Sequence, residues 1–166
     1  MLLGLSKIID CPGGVVPFET TLDLSQMDFG GCCPLHEPVH AKGSVRNTAG
    51  VLILTAEIDA VLDGVCDRCC KPFHRPFTLP LEAVLVTKLE SDQLDSPWVF
   101  ELVGDDADLD DIFTTAVVLN MDSKLLCKPD CKGLCPRCGK DLNEGSCDCK
   151  PERDPRLQVL EKLLKK

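Results

Sequence analysis

Residues 127–149 constrain this chain more than any other stretch. They read CKPDCKGLCPRCGKDLNEGSCDC and hold six of the 12 cysteines. So little of that segment is apolar that it has no core of its own to fold around, and its shape has to come from the sulfurs. Cys135-Pro-Arg-Cys138-Gly139 has the form of a metal knuckle. Thiolates two residues apart grip one ion only if the backbone between them turns tightly, and a glycine after the second lets amides point back at the sulfurs. Cys147-Asp-Cys149 supplies two further ligands. Residues 139–146 include Asn143 and Gly145 and no helical run, which predicts a short ribbon turn closed by Cys135, Cys138, Cys147 and Cys149.

In a secreted chain the same cysteine density would mean a disulfide framework, and six cysteines allow fifteen pairings. The compartment decides. The first ten residues hold one basic residue and no small-residue cleavage site, so no secretory signal is expected. No apolar stretch approaches the roughly 18 residues of a membrane span. A cytoplasmic location follows as the expectation, with no membrane partner. Reducing conditions there keep thiols free, and such clusters hold metal, for which zinc is the expected ion.

Charge divides the chain at the same place. Residues 1–126 carry 8 Lys+Arg against 20 Asp+Glu, whereas residues 127–166 carry 10 against 7. An acidic body repels a bare phosphate backbone and suits a basic protein partner; any RNA would meet the basic tail. Aromatic residues make up 4% of the chain, with no Tyr, which disfavours a stacking platform for single strands.

The body reads as strands. Residues 15–24 alternate loosely. Val39, Ala41, Gly43 and Val45 alternate with polar residues, and Asn47-Thr48-Ala49-Gly50 supplies a turn. Val51–Val65 follows as a long strand in which Leu54, Ala56, Ile58, Ala60 and Leu62 share one face. Phe73, Phe77, Leu79, Leu81, Ala83 and Leu85 then mark the return strand, with Arg75 the exception. Pro72, Pro76 and Pro80 fall on its other parity, so it has an open edge or joins its sheet only in its second half. Residues 97–100 suggest a further short strand.

At the tip of this two-stranded arm stands Cys66-Asp67-Arg68-Cys69, a second knuckle that is two ligands short. Cys127 and Cys131, left over once the ribbon has its four, are the natural suppliers. The division stays open, because Cys127, Cys131, Cys135 and Cys138 could hold one ion and leave Cys66, Cys69, Cys147 and Cys149 for another. A thioredoxin-type dithiol would need a helix after the pair, which Pro72 and the alternating run forbid. Cys11, Cys32 and Cys33 read as ordinary free or buried thiols; Cys70 has no assigned role.

Asp108 caps an expected helix near 108–120, with Asp110 and Asp111 in its first turn and Leu109, Ile112, Phe113, Ala116 and Val117 as its apolar stripe. Asp154-Pro155 starts a short C-terminal helix with Leu157, Leu160, Leu163 and Leu164. The expected fold is thus α+β: an antiparallel β-sheet or partly open barrel with one packed helix over 1–126, then a zinc ribbon and short helix over 127–166, joined through a shared zinc site.

Three features coincide here: Val65-Cys66-Asp67-Arg68-Cys69 with Pro72-Phe73 after a long strand, an acidic helix, and LCKPDCKGLCPRCGKDLNEGSCDC running into DPRLQVLEKL. Over residues 39–166 the chain resembles the YceD family of large ribosomal RNA subunit accumulation proteins. The resemblance implies a non-catalytic protein needed for large-subunit ribosomal RNA to accumulate, hence for large ribosomal subunit assembly. It also implies the pairing of Cys66 and Cys69 with Cys127 and Cys131, followed by the ribbon. Expected partners are a basic ribosomal protein or a pre-large-subunit particle, with ribosomal RNA contact through 127–166.

An enzyme is not expected. A site with four thiolate ligands leaves no position for water or a small-molecule substrate. His36, His40 and His74 are dispersed, and no phosphate-binding glycine loop occurs. The alternative is a redox-switched zinc chaperone whose tail unfolds when oxidation expels the ion. Zinc content before and after mild peroxide separates the two.

Overall fold

A computed structural model describes residues 1–88 and 96–149. The C-terminal helix expected from Asp154 onward lies outside them. The elements in chain order are β1 (Leu2–Gly4), α1 (Ser6–Ile9), β2 (Val15–Leu22), β3 (Val39–Thr48), β4 (Val51–Val65), β5 (Pro72–Val86), β6 (Val99–Glu101), β7 (Asp106–Asp108) and α2 (Leu109–Asn120).

Alternation in the sequence becomes one buried face of an open sheet. Its five strands lie in the order β2-β3-β4-β5-β6, and β1 pairs with β7 in a separate ribbon. Every second residue of β4 from Leu52 to Leu62 is buried, as are Val39, Ala41 and Val45 of β3 and Leu81, Ala83 and Leu85 of β5. The stripe of α2, Leu109, Ile112, Phe113, Ala116 and Val117, is buried in the same core, with the Phe113 ring 5.8 Å from that of Phe18. Asp108 caps α2 by accepting from the Asp110 amide at 3.1 Å, which explains the aspartates without a metal.

Among the described residues the sheet is open and does not close into a barrel. Its final pair, β5 with β6, is parallel rather than antiparallel. The one-turn α1 and the β1/β7 ribbon are too short to leave a periodic signal. Asn47 anchors α1: buried in the core, it donates to the carbonyls of Ile8 and Ile9 at 2.7 and 2.8 Å and accepts from Gly50 at 2.8 Å.

The arm is what positions the site. β3 pairs with β4 only as far as Asp59, while β4 and β5 pair without a break from Leu52↔Leu85 to Val65↔Pro72. Residues of one parity turn their N–H groups to one side of a strand. Pro76 and Pro80 therefore remove donors from a single edge, the one facing away from β4, and β6 covers only Val84–Val86 of it. The strand keeps an open edge and is paired along its whole length on the other.

Candidate metal centres

At the arm tip the Cys66 amide donates to the Lys71 carbonyl at 2.9 Å and the Cys70 amide to the Cys66 carbonyl at 2.8 Å. The second knuckle repeats this. There Cys135 donates to Lys140 at 2.8 Å and Gly139 to Cys135 at 2.9 Å. Both turns need a residue with positive φ directly after their second cysteine, Gly139 at 72° and Cys70 at 55°. Cys70, for which the sequence offered no role, occupies the glycine position of the first knuckle.

The structure gathers eight thiols into two fours, Cys66, Cys69, Cys127 and Cys131, and Cys135, Cys138, Cys147 and Cys149. Within each, all four sulfurs lie within 4.8 Å of one another, and none of the eight is in a disulfide. In the first cluster the Cys66–Cys131 and Cys69–Cys127 sulfurs are 3.8 Å apart. A tetrahedron with metal–sulfur bonds of about 2.3 Å has edges of about 3.8 Å, so this spacing suits a four-coordinate ion. Both groups could hold a metal ion.

Their electrostatics point the same way. At Cys66 burial opposes ionisation most, but the amides of Cys127, Cys69 and Arg68 together reverse it and carry the thiol down to about 6. Cys127 is pushed up to about 12 by burial and by the neighbouring Cys66, Cys131 and Cys69 sulfurs. In the second cluster the amides of Cys138 and Arg137 bring Cys135 down to about 6, and the Cys138 thiol, then burial, pushes Cys149 up to about 12. Each group ionises one thiol readily and resists a second, because like charges at this distance need a cation between them.

The two clusters meet along a seam. Leu125 donates to the Asp67 carboxylate at 2.7 Å, the Leu134 amide to the Arg68 carbonyl at 3.0 Å, and Arg68 to the Cys131 carbonyl at 2.8 Å. Lys71 reaches Asp141 at 2.7 Å and Glu144 at 2.5 Å, and holds the Asp141 carboxyl down at about 2. The segment between Cys138 and Cys147 is a turn, tied by one β-bridge, Leu134↔Asp141, to the chain just before the knuckle.

Cys11 and Cys32 are exposed and Cys33 half-buried, and none joins either four. Cys32, Cys33, His36 and Cys70 instead line a cleft of about 630 Å³ beside Cys66. Glu37, Asp63 and His74 also approach one another, but His74 pairs with Asp63 across β4 and β5 at 2.6 Å, which accounts for the contact. A second cleft, of about 410 Å³, is lined by Arg68, Arg75 and Lys124 with Asp122, Leu126 and Pro129. Three of the body's few cations converge there, a cluster invisible in sequence because the arm brings residues 68 and 75 to residue 124. Among the described residues no helix is long and apolar enough to cross a membrane.

The family model described as large ribosomal RNA subunit accumulation protein YceD matches residues 54–164, a span that begins in β4 and takes in both clusters. No curated protein and no solved structure matches the chain.

Proposed function

The chain belongs to the YceD family of large ribosomal RNA subunit accumulation proteins, and from that premise we propose that it is a non-catalytic, cytoplasmic zinc-binding factor supporting large ribosomal subunit assembly. One zinc ion sits among Cys66, Cys69, Cys127 and Cys131, and the other among Cys135, Cys138, Cys147 and Cys149. The observation that carries this is the gathering of eight free thiols into two closed fours within the matched span. Four thiolates fill a tetrahedral ion's coordination, so each ion shapes the chain and leaves no position for chemistry.

The acidic body holds a basic ribosomal protein, or a basic patch of a precursor particle, while the cation-richer end meets ribosomal RNA. The cleft of Arg68, Arg75 and Lys124, body residues beside Leu126 and Pro129, extends that RNA-facing surface onto the arm, because it turns local charge positive where the body meets that end. Co-sedimentation with purified large-subunit precursor particles tests it. Binding should be lost in Cys127→Ser and should fall as salt rises. Binding indifferent to salt would remove the charge argument, and none to such particles would remove the assembly role.

A further inference from the structure

One side chain from the turn of the C-terminal cluster reaches a sulfur of the arm-tip cluster. Asn143 lies in the turn between Cys138 and Cys147, so its position is set by the closing of the second cluster. Its Nδ2 donates to the Cys131 sulfur of the first at 3.4 Å, and its Oδ1 accepts from the Lys132 amide at 2.9 Å. Asn143 is held in turn by Asp141, whose Oδ1 accepts from the Asn143 amide at 2.8 Å and from its Nδ2 at 2.7 Å. The other Asp141 oxygen takes Lys71 at 2.7 Å, from the loop of the first knuckle. The path therefore closes on itself: Lys71 of the arm tip, Asp141 and Asn143 of the C-terminal turn, and Cys131 of the arm-tip cluster.

Resting on the assignment of a metal ion to each cluster, we infer that Asn143 is a positioning residue that couples the two, so that filling either one raises the affinity of the other. The physical step is short. A thiolate that receives an N–H donor is a better-oriented ligand, and partners of this kind are worth about 10–100-fold in metal affinity. The Cys131 sulfur has this donor only while the C-terminal turn is closed, and the turn is closed by the second ion. Reciprocity follows, since a filled arm-tip cluster fixes Cys131 and Lys132, which hold Asn143 in place. Lys71 sets the turn's distance from the arm.

A double-mutant cycle on the full chain, read by zinc competition against a chelator, tests this. Cys138→Ser removes the second ion, and zinc at the arm tip should then bind about tenfold more weakly. Asn143→Ala should produce the same loss at the arm tip with both ions still bound, and adding Cys138→Ser to it should cost the arm tip nothing more. Asn143→Asp keeps the acceptor for Lys132 but turns a carboxylate toward the Cys131 sulfur and the Asp141 carboxylate, so its loss at the arm tip should exceed that of Asn143→Ala. Two zinc ions whose affinities are indifferent to each other's ligands would overturn the coupling and leave the two-site assignment standing. So would a Cys138→Ser penalty that persists undiminished in Asn143→Ala. A chain that binds no zinc would overturn the assignment itself, and the coupling with it.

Discussion

The two four-cysteine clusters are built on the same turn and set in different surroundings. Each has a C-x2-C knuckle with the same pair of backbone hydrogen bonds and a residue of positive φ after its second cysteine. The arm-tip cluster is sunk into the molecule: Cys66, Cys69 and Cys131 are at most 3% exposed, and two of its ligands sit in the turn that joins β4 to β5 of the main sheet. In the C-terminal cluster Cys135 is buried while Cys138 is exposed, and its supports are a turn and a few side chains. The difference teaches that one motif can be anchored by a sheet or merely leaned against it.

The largest effect should come from removing metal altogether. The apolar core that joins the sheet to α2 contains no cysteine, whereas the small cluster around Cys66, Cys69 and Cys131 contains little else. Stripping zinc with a chelator should therefore leave amide protection in β3, β4 and the sheet half of β5 and abolish it across 122–149, a loss on the scale of about 10 kcal/mol per structural ion. Amide exchange reads this residue by residue. Protection lost throughout the chain would mean that the sheet does not stand alone.

The converse experiment attacks the sheet and spares the sulfurs. A Cβ on Gly43 would lie 2.2 Å from the Thr55 carbonyl oxygen and 2.7 Å from the Ala56 Cα, both backbone atoms of the neighbouring strand. Gly43→Ala should cost about 2–4 kcal/mol in denaturant melts and leave two zinc ions per folded chain. A variant that lost metal in proportion to stability would show the arm and the clusters folding as one unit.

Much of this contrast was legible in the sequence, for different reasons at its two ends. Val51–Val65 was readable because a period of two over fifteen residues has no helical counterpart, and the knuckles because thiolate spacing is dictated by an ion's radius. The grouping of the eight thiols in the structure is one of the two that the sequence left open, and the one that the family resemblance implies; that they hold zinc is the proposal above. What could not be read depends on placement rather than pattern. Nothing in the order of residues says that Asn143 will meet Cys131, that Arg75 and Lys124 will share a cleft, or that residues 99–101 will run parallel to β5. Three-residue strands and a single helical turn carry too few residues for any period to show.

Acidity should treat the clusters alike, which sharpens the comparison by finding where it vanishes. Cys127 and Cys149 stand at about 12 before an ion arrives and Cys69 and Cys147 are raised as well, so each cluster must surrender at least two protons when it fills. Affinity should rise about tenfold per pH unit above neutrality for each proton released. Below about pH 6, Cys66 and Cys135 are protonated as well and the slope should steepen by one further proton per ion, the affinity falling as pH falls. Zinc competition across this range reads both slopes. Clusters that differed by a whole proton would contradict the shared pattern of one ready thiol and two reluctant ones.

The smallest effect tests the turn itself. Cys70 and Gly139 hold equivalent positions, yet only one of them is a residue that enters positive φ without steric cost. Cys70→Gly relieves roughly 1–2 kcal/mol of left-handed strain and returns part of it through the freer unfolded chain, so the arm tip should gain about 0.5–1 kcal/mol. Gly139→Ala runs the same exchange backwards, and because nothing lies within 4 Å of its Cβ, its loss of about 1 kcal/mol is backbone strain alone. Equal and opposite shifts in chelator resistance at the two clusters would make Cys70 a conformational substitute for glycine. A loss of zinc in Cys70→Gly would instead make its thiol a working ligand, and the arm-tip cluster would then have to be redrawn with five sulfurs.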